Sequence, residues 1–134
     1  MRTGKIFNAD IVEVISKMGH TDEIVVADCG LPIPEGVKRI DISLNKNNPR
    51  FMEVLKILLE EYICESYVLA KEIKKHNKEI EEEINEILKD CEVEYISHEK
   101  FKERTKNAKA IIRTGECTPY ANIILKSGVF FGRE

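Results

Sequence analysis

The segment GHTDEIVVADCGLPIPEGVKRID, residues 19–41, indicates the fold class. Its centre, IVVAD at 24–28, is almost continuously apolar, which is typical of a strand covered on both faces. The following CGLPIPEG, at 29–36, ends that strand because proline and glycine favour turns. The segment therefore predicts a buried strand of an α/β sheet, with His20 before the strand and Asp28 at its end.

Outward from this strand, helical and strand-like periodicity alternate along the chain, and no low-complexity linker interrupts them. The predicted helices are 9–18, 49–62, 76–90 and 98–106, and the predicted strands are 24–28, 37–44, 65–73, 92–97, 108–114 and 122–131. A chain of 134 residues has the size of one domain. We therefore predict a single α/β domain over residues 1–134, with a mostly parallel or mixed central sheet and helices on both faces.

The composition argues against two classes of partner. The chain has 21 basic and 24 acidic residues, a net charge of −3, and its basic residues are interspersed with acidic ones. The sequence lacks a basic stripe with interleaved aromatic residues, which is the pattern that predicts nucleic-acid binding. The apolar runs are too short for a membrane span, and Asp10 and Glu13 occupy the place where a signal peptide needs apolar residues. We therefore expect no nucleic acid, no membrane and a cytoplasmic location.

The cysteines and histidines lack the close spacing of metal-binding motifs. They are Cys29, Cys64, Cys91 and Cys117, and His20, His76 and His98. We therefore predict no metal site, and we interpret the cysteines as buried thiols without a chemical role. One alternative stays open, in which Cys117, in the loop TGECTP after a strand, is the nucleophile of a thiol-dependent enzyme.

Polar residues follow several of the predicted strands. Asp28 ends one strand, His98 follows another, and GECTPYAN at 115–122 follows a third. Ligands of open α/β sheets bind beyond the carboxyl ends of the strands, so these segments form one site if their strands are parallel neighbours. Each residue also has a structural interpretation: Asp28 as a turn residue, and His98 as a neighbour of the helix cap Ser97. The pattern alone does not decide between them.

Three segments together resemble the sugar mutarotase family. They are GHTDEIVVADCGLPIP at 19–34, EYISHEKFK at 94–102 and IRTGECTPYANIIL at 112–125. The resemblance extends over nearly the whole chain and is closer to the ribose branch than to the fucose branch. Fucose mutarotases tend to carry GHGD and an Asn-Phe-Pro turn in place of the HTD and GLP found here. Cys29 stands where the family usually has alanine.

The resemblance implies an isomerase that interconverts the pyranose and furanose forms of D-ribose without a cofactor. It makes His20 the proton donor. The residues that it implies in sugar binding are Asp28, His98, Tyr120, Ala121 and Asn122. It also implies a homo-oligomer, a decamer of two pentameric rings, whose sites can draw residues from neighbouring subunits.

These residue types suit the reaction. Opening a cyclic hemiacetal requires one group that protonates the ring oxygen and another that removes the proton of the anomeric hydroxyl. Histidine can do either near neutral pH. Whether His98 only binds or also relays the second proton stays open at this point. Two alternative functions also stay open: a sugar-binding ring without turnover, and a mutarotase for another sugar such as L-fucose.

Overall fold

The computed structural model describes residues 1–131, so the last three positions of the predicted domain lie outside it. The described chain alternates between strands and helices. Its helices are α1 Ala9–Lys17, α2 Phe51–Leu59, α3 Ile73–His76, α4 Lys78–Ile87 and α5 His98–Arg104. Its strands are β1 Glu23–Ala27, β2 Lys38–Asp41, β3 Cys64–Ala70, β4 Glu92–Ile96, β5 Ala110–Arg113 and β6 Ile123–Ser127.

The six strands form one mixed sheet in the order β2-β5-β1-β6-β3-β4. β6 lies between β1 and β3 and is antiparallel to both, whereas the other neighbouring pairs are parallel. The prediction of a mixed sheet is confirmed. The carboxyl ends of β1 to β5 and the amino end of β6 therefore share one edge, here called the carboxyl edge. The opposite edge is called the amino edge.

Side chains of β1 alternate between two apolar layers. Ile24 and Val26 belong to a core that includes residues of α1, α2 and α4, while Val25 and Ala27 belong to a second core with Phe101 of α5. All of these strand residues are fully buried. Because both faces of the sheet are covered, the continuous apolar run of β1 is explained, and the prediction of helices on both faces is confirmed.

Two helices begin at a side-chain cap. The Asn8 side chain accepts a hydrogen bond from the Ile11 amide at 3.0 Å, and Ser97 accepts one from the Lys100 amide at 3.2 Å. Each cap satisfies an amide that the first helical turn leaves without a partner. The Ser97 cap begins α5 directly at the carboxyl edge, which places His98 there.

Several predicted boundaries are wrong. The predicted strand 65–73 ends at Ala70, and the short helix α3 follows it. Ile73 lies in α3 and is fully buried, so its apolar character reflects helix packing rather than a longer strand. Asn77 breaks the predicted helix 76–90 with an extended φ of −153°, and α4 begins after it. Within residues 1–131, no helix combines the length and apolar character needed to cross a bilayer.

Candidate functional site

Asp28 and Asn122 meet at the carboxyl edge because β1 ends and its antiparallel neighbour β6 begins there. The Asp28 amide donates to Asn122 Oδ1 at 2.8 Å, and Asn122 Nδ2 donates to Asp28 Oδ2 at 3.1 Å. The amides of Gly30 and Leu31 donate to Asp28 Oδ1, each at 2.9 Å. Asp28 is therefore a turn residue, as one interpretation of the sequence held, and it is also paired with a fully buried Asn122.

Burial raises the pKa of the Asp28 carboxyl above its ordinary value. The hydrogen bonds from Gly30, Asn122 and Leu31 and the nearby His98 act in the opposite direction, but they do not cancel the desolvation. The carboxylate is therefore poorly solvated. Hydroxyl groups of a ligand are suitable further partners for such a group, since a carboxylate only accepts hydrogen bonds and has about four acceptor positions.

Three aromatic rings meet beside this pair. The His98 ring stands edge-on to Tyr120, with ring centroids 5.1 Å apart, and His76 lies 5.6 Å from Tyr120 on the same measure. The Phe101 ring stacks with His98, with centroids 6.4 Å apart. Tyr120 has a φ of 58°, an uncommon conformation for a residue other than glycine. The strained backbone thus presents the Tyr120 ring between two histidines.

His98 carries a buried polar atom that lacks a partner. Its main-chain amide donates to Glu72 Oε1 at 3.0 Å, but its ring Nδ1 is buried and has no hydrogen-bond partner among residues 1–131. Leaving a buried polar atom unpaired costs about 1–3 kcal/mol, and native structures rarely do so without a functional reason. A ligand hydroxyl beside Tyr120 is a suitable partner for this nitrogen.

Ala121 has a different position from its neighbours. Its side chain is fully buried and belongs to the same core as Ile24 and Val26. The Asn122 amide donates to the Tyr120 carbonyl at 2.9 Å, so the chain makes a tight turn around Ala121. Any contribution of Ala121 to ligand binding must therefore come from its main chain.

A buried glutamate holds the loop that leads to Tyr120. Glu116 is fully buried, and it accepts hydrogen bonds from Arg50 at 2.8 and 3.2 Å, from the Phe51 amide at 3.0 Å and from Thr118 at 2.7 Å. Burial by itself would raise the pKa of Glu116, but these hydrogen bonds and the Arg50 charge lower it on balance. The charged carboxylate thus joins the start of α2 to the loop between β5 and β6.

His20 lies at the amino edge, at the opposite end of β1 from Asp28. It belongs to a turn in which the Thr21 amide donates to the carbonyl of Ser127, the last residue of β6. Its Nε2 is 2.8 Å from Glu65 Oε1 near the start of β3, and half of its side-chain surface is exposed. Five strand residues separate His20 from the carboxyl edge, about 16 Å at 3.3 Å per residue.

The structure thus brings together Asp28, His98, Tyr120, Ala121 and Asn122 and leaves His20 apart from them. Sequence reasoning missed His76 and Glu116 as neighbours of the site. His76, the last residue of α3, lies three positions after the predicted strand 65–73, which was an available signal. Glu116 lies in the candidate segment 115–122, but its role was not predicted because its partner Arg50 is distant in the sequence. In the described part of the chain, no three His, Cys, Asp or Glu side chains form a cluster that could hold a metal ion.

A mixed α/β sheet with carboxylate, amide, imidazole and phenol groups at its carboxyl edge is suited to binding a small polyhydroxylated molecule. The chain belongs to the RbsD / FucU transport protein family, whose model matches residues 1–130. It is 53% identical to a D-ribose pyranase of Clostridium perfringens over 98% of this chain and all of the relative.

Two solved structures are similar to this fold. Bacillus subtilis RbsD complexed with D-ribose matches with a TM-score of 0.95 and 46% identity, covering 96% of this chain and 98% of that one. The fucose mutarotase of Streptococcus pneumoniae in complex with L-fucose matches with a TM-score of 0.78 and 28% identity, covering 96% and 99%. By both measures, this chain is more similar to the ribose-bound protein than to the fucose-bound one.

Proposed function

We propose that the protein is a D-ribose pyranase, an isomerase that interconverts the pyranose and furanose forms of D-ribose by acid and base catalysis without a cofactor. The observation that carries the proposal is the buried, unpaired Nδ1 of His98 beside Tyr120 and the Asp28–Asn122 pair. These groups can pair with several hydroxyls of one sugar. The identity to D-ribose pyranases over almost the whole chain supports ribose as the substrate.

Each residue has a distinct proposed role. Asp28 and Asn122 bind and orient sugar hydroxyls, and the main chain at Ala121 keeps Asn122 in place. Tyr120 packs against the sugar ring and limits the access of water. His98 binds a hydroxyl through Nδ1, His20 donates a proton to the ring oxygen, and water takes the proton of the anomeric hydroxyl as the ring C–O bond breaks. Positioned acid and base groups each contribute about 10²- to 10⁴-fold to the rate. This contribution is sufficient, because the sugar ring also opens in water without a catalyst.

His20 acts in trans in this proposal. Since His20 lies on the amino edge of its own sheet, it reaches a sugar at the carboxyl edge only from a neighbouring copy of the chain. The protein is accordingly a homo-oligomer, and we propose a cytoplasmic decamer of two pentameric rings. The imidazole of His20 is half exposed on its own chain, so it can face another subunit.

Magnetisation-exchange NMR on D-ribose tests the activity. We expect sub-stoichiometric protein to accelerate the exchange between pyranose and furanose signals, with a smaller acceleration of anomer exchange in L-fucose at equal concentration. Ribose binding without accelerated exchange would instead support a non-catalytic sugar-binding ring. Faster exchange with fucose would move the protein to the other branch of the family.

Mixed oligomers test the sharing of the site. His20→Ala should be inactive or nearly so, and Asn122→Ala should be about 10- to 100-fold less active at low ribose concentration, because each removes one half of every site. When the two variants are coexpressed with different tags, hybrid rings should regain a fraction of the activity, since some interfaces combine an intact His20 with an intact Asn122. Native mass spectrometry should show the hybrids and about ten subunits. Verified hybrids without recovered activity would contradict the shared site.

A further inference from the structure

Two thiols from distant parts of the sequence meet beside the candidate site. Cys29 Sγ and Cys117 Sγ are 3.5 Å apart, although 88 positions separate the residues. The main chain brings them together, since the Cys29 amide donates to the carbonyl of Glu116 at 2.8 Å. Cys117 is exposed, and Cys29 is partly so. Arg113 fixes the same turn by donating to the Cys29 carbonyl at 3.0 Å.

The other two cysteines differ in their surroundings. Cys64 Sγ donates to the Ser66 carbonyl at 3.2 Å, and Cys91 Sγ donates to the Cys64 carbonyl at 3.2 Å. Burial raises the pKa of Cys64 to about 12, so this thiol stays protonated and unreactive near neutral pH. The chain thus offers one thiol pair with direct sulfur contact and an exposed member, and a second, partly buried pair whose thiols donate to carbonyl groups.

We propose that Cys29 and Cys117 form a reversible intramolecular disulfide that acts as a redox switch on the candidate site. A disulfide bond is about 2.05 Å long, so the two sulfurs need to approach by roughly 1.5 Å, within reach of small side-chain rotations. The bond joins the loop after β1, at residues 29–36, to the loop at 114–119. These loops flank Asp28 on one side and Tyr120 on the other.

The oxidant is a low-molecular-weight disulfide, and the electrons balance in two exchange steps. The Cys117 thiolate attacks one sulfur of the small disulfide, forms a mixed disulfide and releases one small thiolate. Cys29 then loses its proton to solvent, and its thiolate attacks Cys117 Sγ and displaces the second small thiolate. Two protein thiols are oxidised, and one small disulfide is reduced to two thiols.

The order of these steps follows from the surroundings of the two thiols. Cys117 is the more exposed, so the small disulfide reaches it first. The hydrogen bond with Cys117 is the main cause that raises the pKa of Cys29, which keeps Cys29 protonated in the reduced pair. Once Cys117 is in the mixed disulfide, Cys29 is the nearby thiol that resolves it.

Titration with glutathione disulfide tests the switch on the intact oligomer. Intact mass should fall by two hydrogen atoms per chain, and peptide mapping without reduction should link Cys29 to Cys117. Dithiothreitol should reverse both changes. In the oxidised form, hydrogen–deuterium exchange should slow in peptides covering 29–36 and 114–119, because the cross-link limits their opening.

Two variants serve as matched controls. Cys29→Ala should stop at the glutathione adduct on Cys117, whereas Cys91→Ala should form the same disulfide as the unmodified chain. A stable adduct on Cys117 in the unmodified chain, or a link between Cys64 and Cys91 instead, would overturn the proposal. A Cys29–Cys117 bond that leaves the exchange of both loops unchanged would overturn its role as a switch.

Discussion

The two edges of the sheet differ in how tightly they hold their polar residues. At the carboxyl edge, Asn122 is fully buried and hydrogen-bonded to Asp28, and Glu116 is buried with four donor atoms around it. At the amino edge, the His20 side chain is hydrogen-bonded to Glu65, and both side chains are about half exposed. One edge is preorganised, while the other presents an accessible imidazole.

In the proposed function, this difference separates sugar binding from proton donation. A preorganised edge can read the pattern of hydroxyls, because misplaced hydroxyls leave its buried polar groups unpaired. An exposed histidine on a turn contributes little to the stability of its own chain. In the proposed function, it serves a neighbouring subunit. The comparison leads to predictions that affect the two edges differently.

The largest expected effect is the loss of activity in His20→Ala. Removing the proposed general acid should lower the rate of ribose exchange by about 10²- to 10⁴-fold, while thermal stability and the proposed oligomer stay unchanged because the side chain is half exposed. Magnetisation-exchange NMR and native mass spectrometry measure the two properties.

His20→Gln is the matched variant for this test. Glutamine can keep a hydrogen bond to Glu65, but it cannot donate a proton as an acid near neutral pH. We expect the same loss of exchange as in His20→Ala. Near-native exchange in His20→Gln would show that the contact with Glu65 matters rather than acid catalysis.

The next effect concerns sugar binding at the carboxyl edge. Asn122→Ala removes a proposed sugar contact and leaves the Asp28 amide without its partner at 2.8 Å. We expect ribose affinity to fall by about 10- to 100-fold, consistent with roughly 1–3 kcal/mol for unpaired buried groups. Asn85→Ala is the control. The Asn85 side chain accepts a hydrogen bond from the Tyr67 hydroxyl and donates one to the Tyr95 hydroxyl, where α4 packs on the sheet. The substitution should lower stability and leave affinity intact.

These assignments show what the sequence predicts and where it stops. The opposite positions of His20 and Asp28 follow from the apolar run between them, since a strand of that length separates its two ends. The meeting of Asp28 with Asn122 depends on β6 inserting between β1 and β3, and strand order is a property of the whole sheet. Local periodicity carries no information about it. The Cys29–Cys117 contact was missed for the same reason.

A smaller effect is expected from Glu116→Gln, which should loosen the loop before Tyr120. Losing the charge should lower the free energy of unfolding by about 1–3 kcal/mol near pH 7, since hydrogen bonds to charged groups are the stronger ones. The lowered pKa of Glu116 means that its contribution is present above the ordinary pKa of glutamate and is lost as the pH falls. Urea unfolding at several pH values should show the difference between the two proteins disappearing in acid. A difference that persists there would contradict the charge argument.

The smallest effect is expected from Asp28→Asn, and its pH dependence has the opposite sign. Burial raises the pKa of Asp28, so ionising it costs stability, and the favourable contribution is lost as the pH rises through that raised value. The introduced amide carries no charge, but its nitrogen would face the donor Nδ2 of Asn122. We therefore expect little change in stability at neutral pH and a ribose affinity a few-fold weaker.

In the unmodified chain, affinity should fall on acidification as Asp28 protonates, and the variant should lack that step. Calorimetric titration with ribose across the acidic range measures it, and an identical pH profile in both proteins would exclude Asp28 as a hydroxyl acceptor.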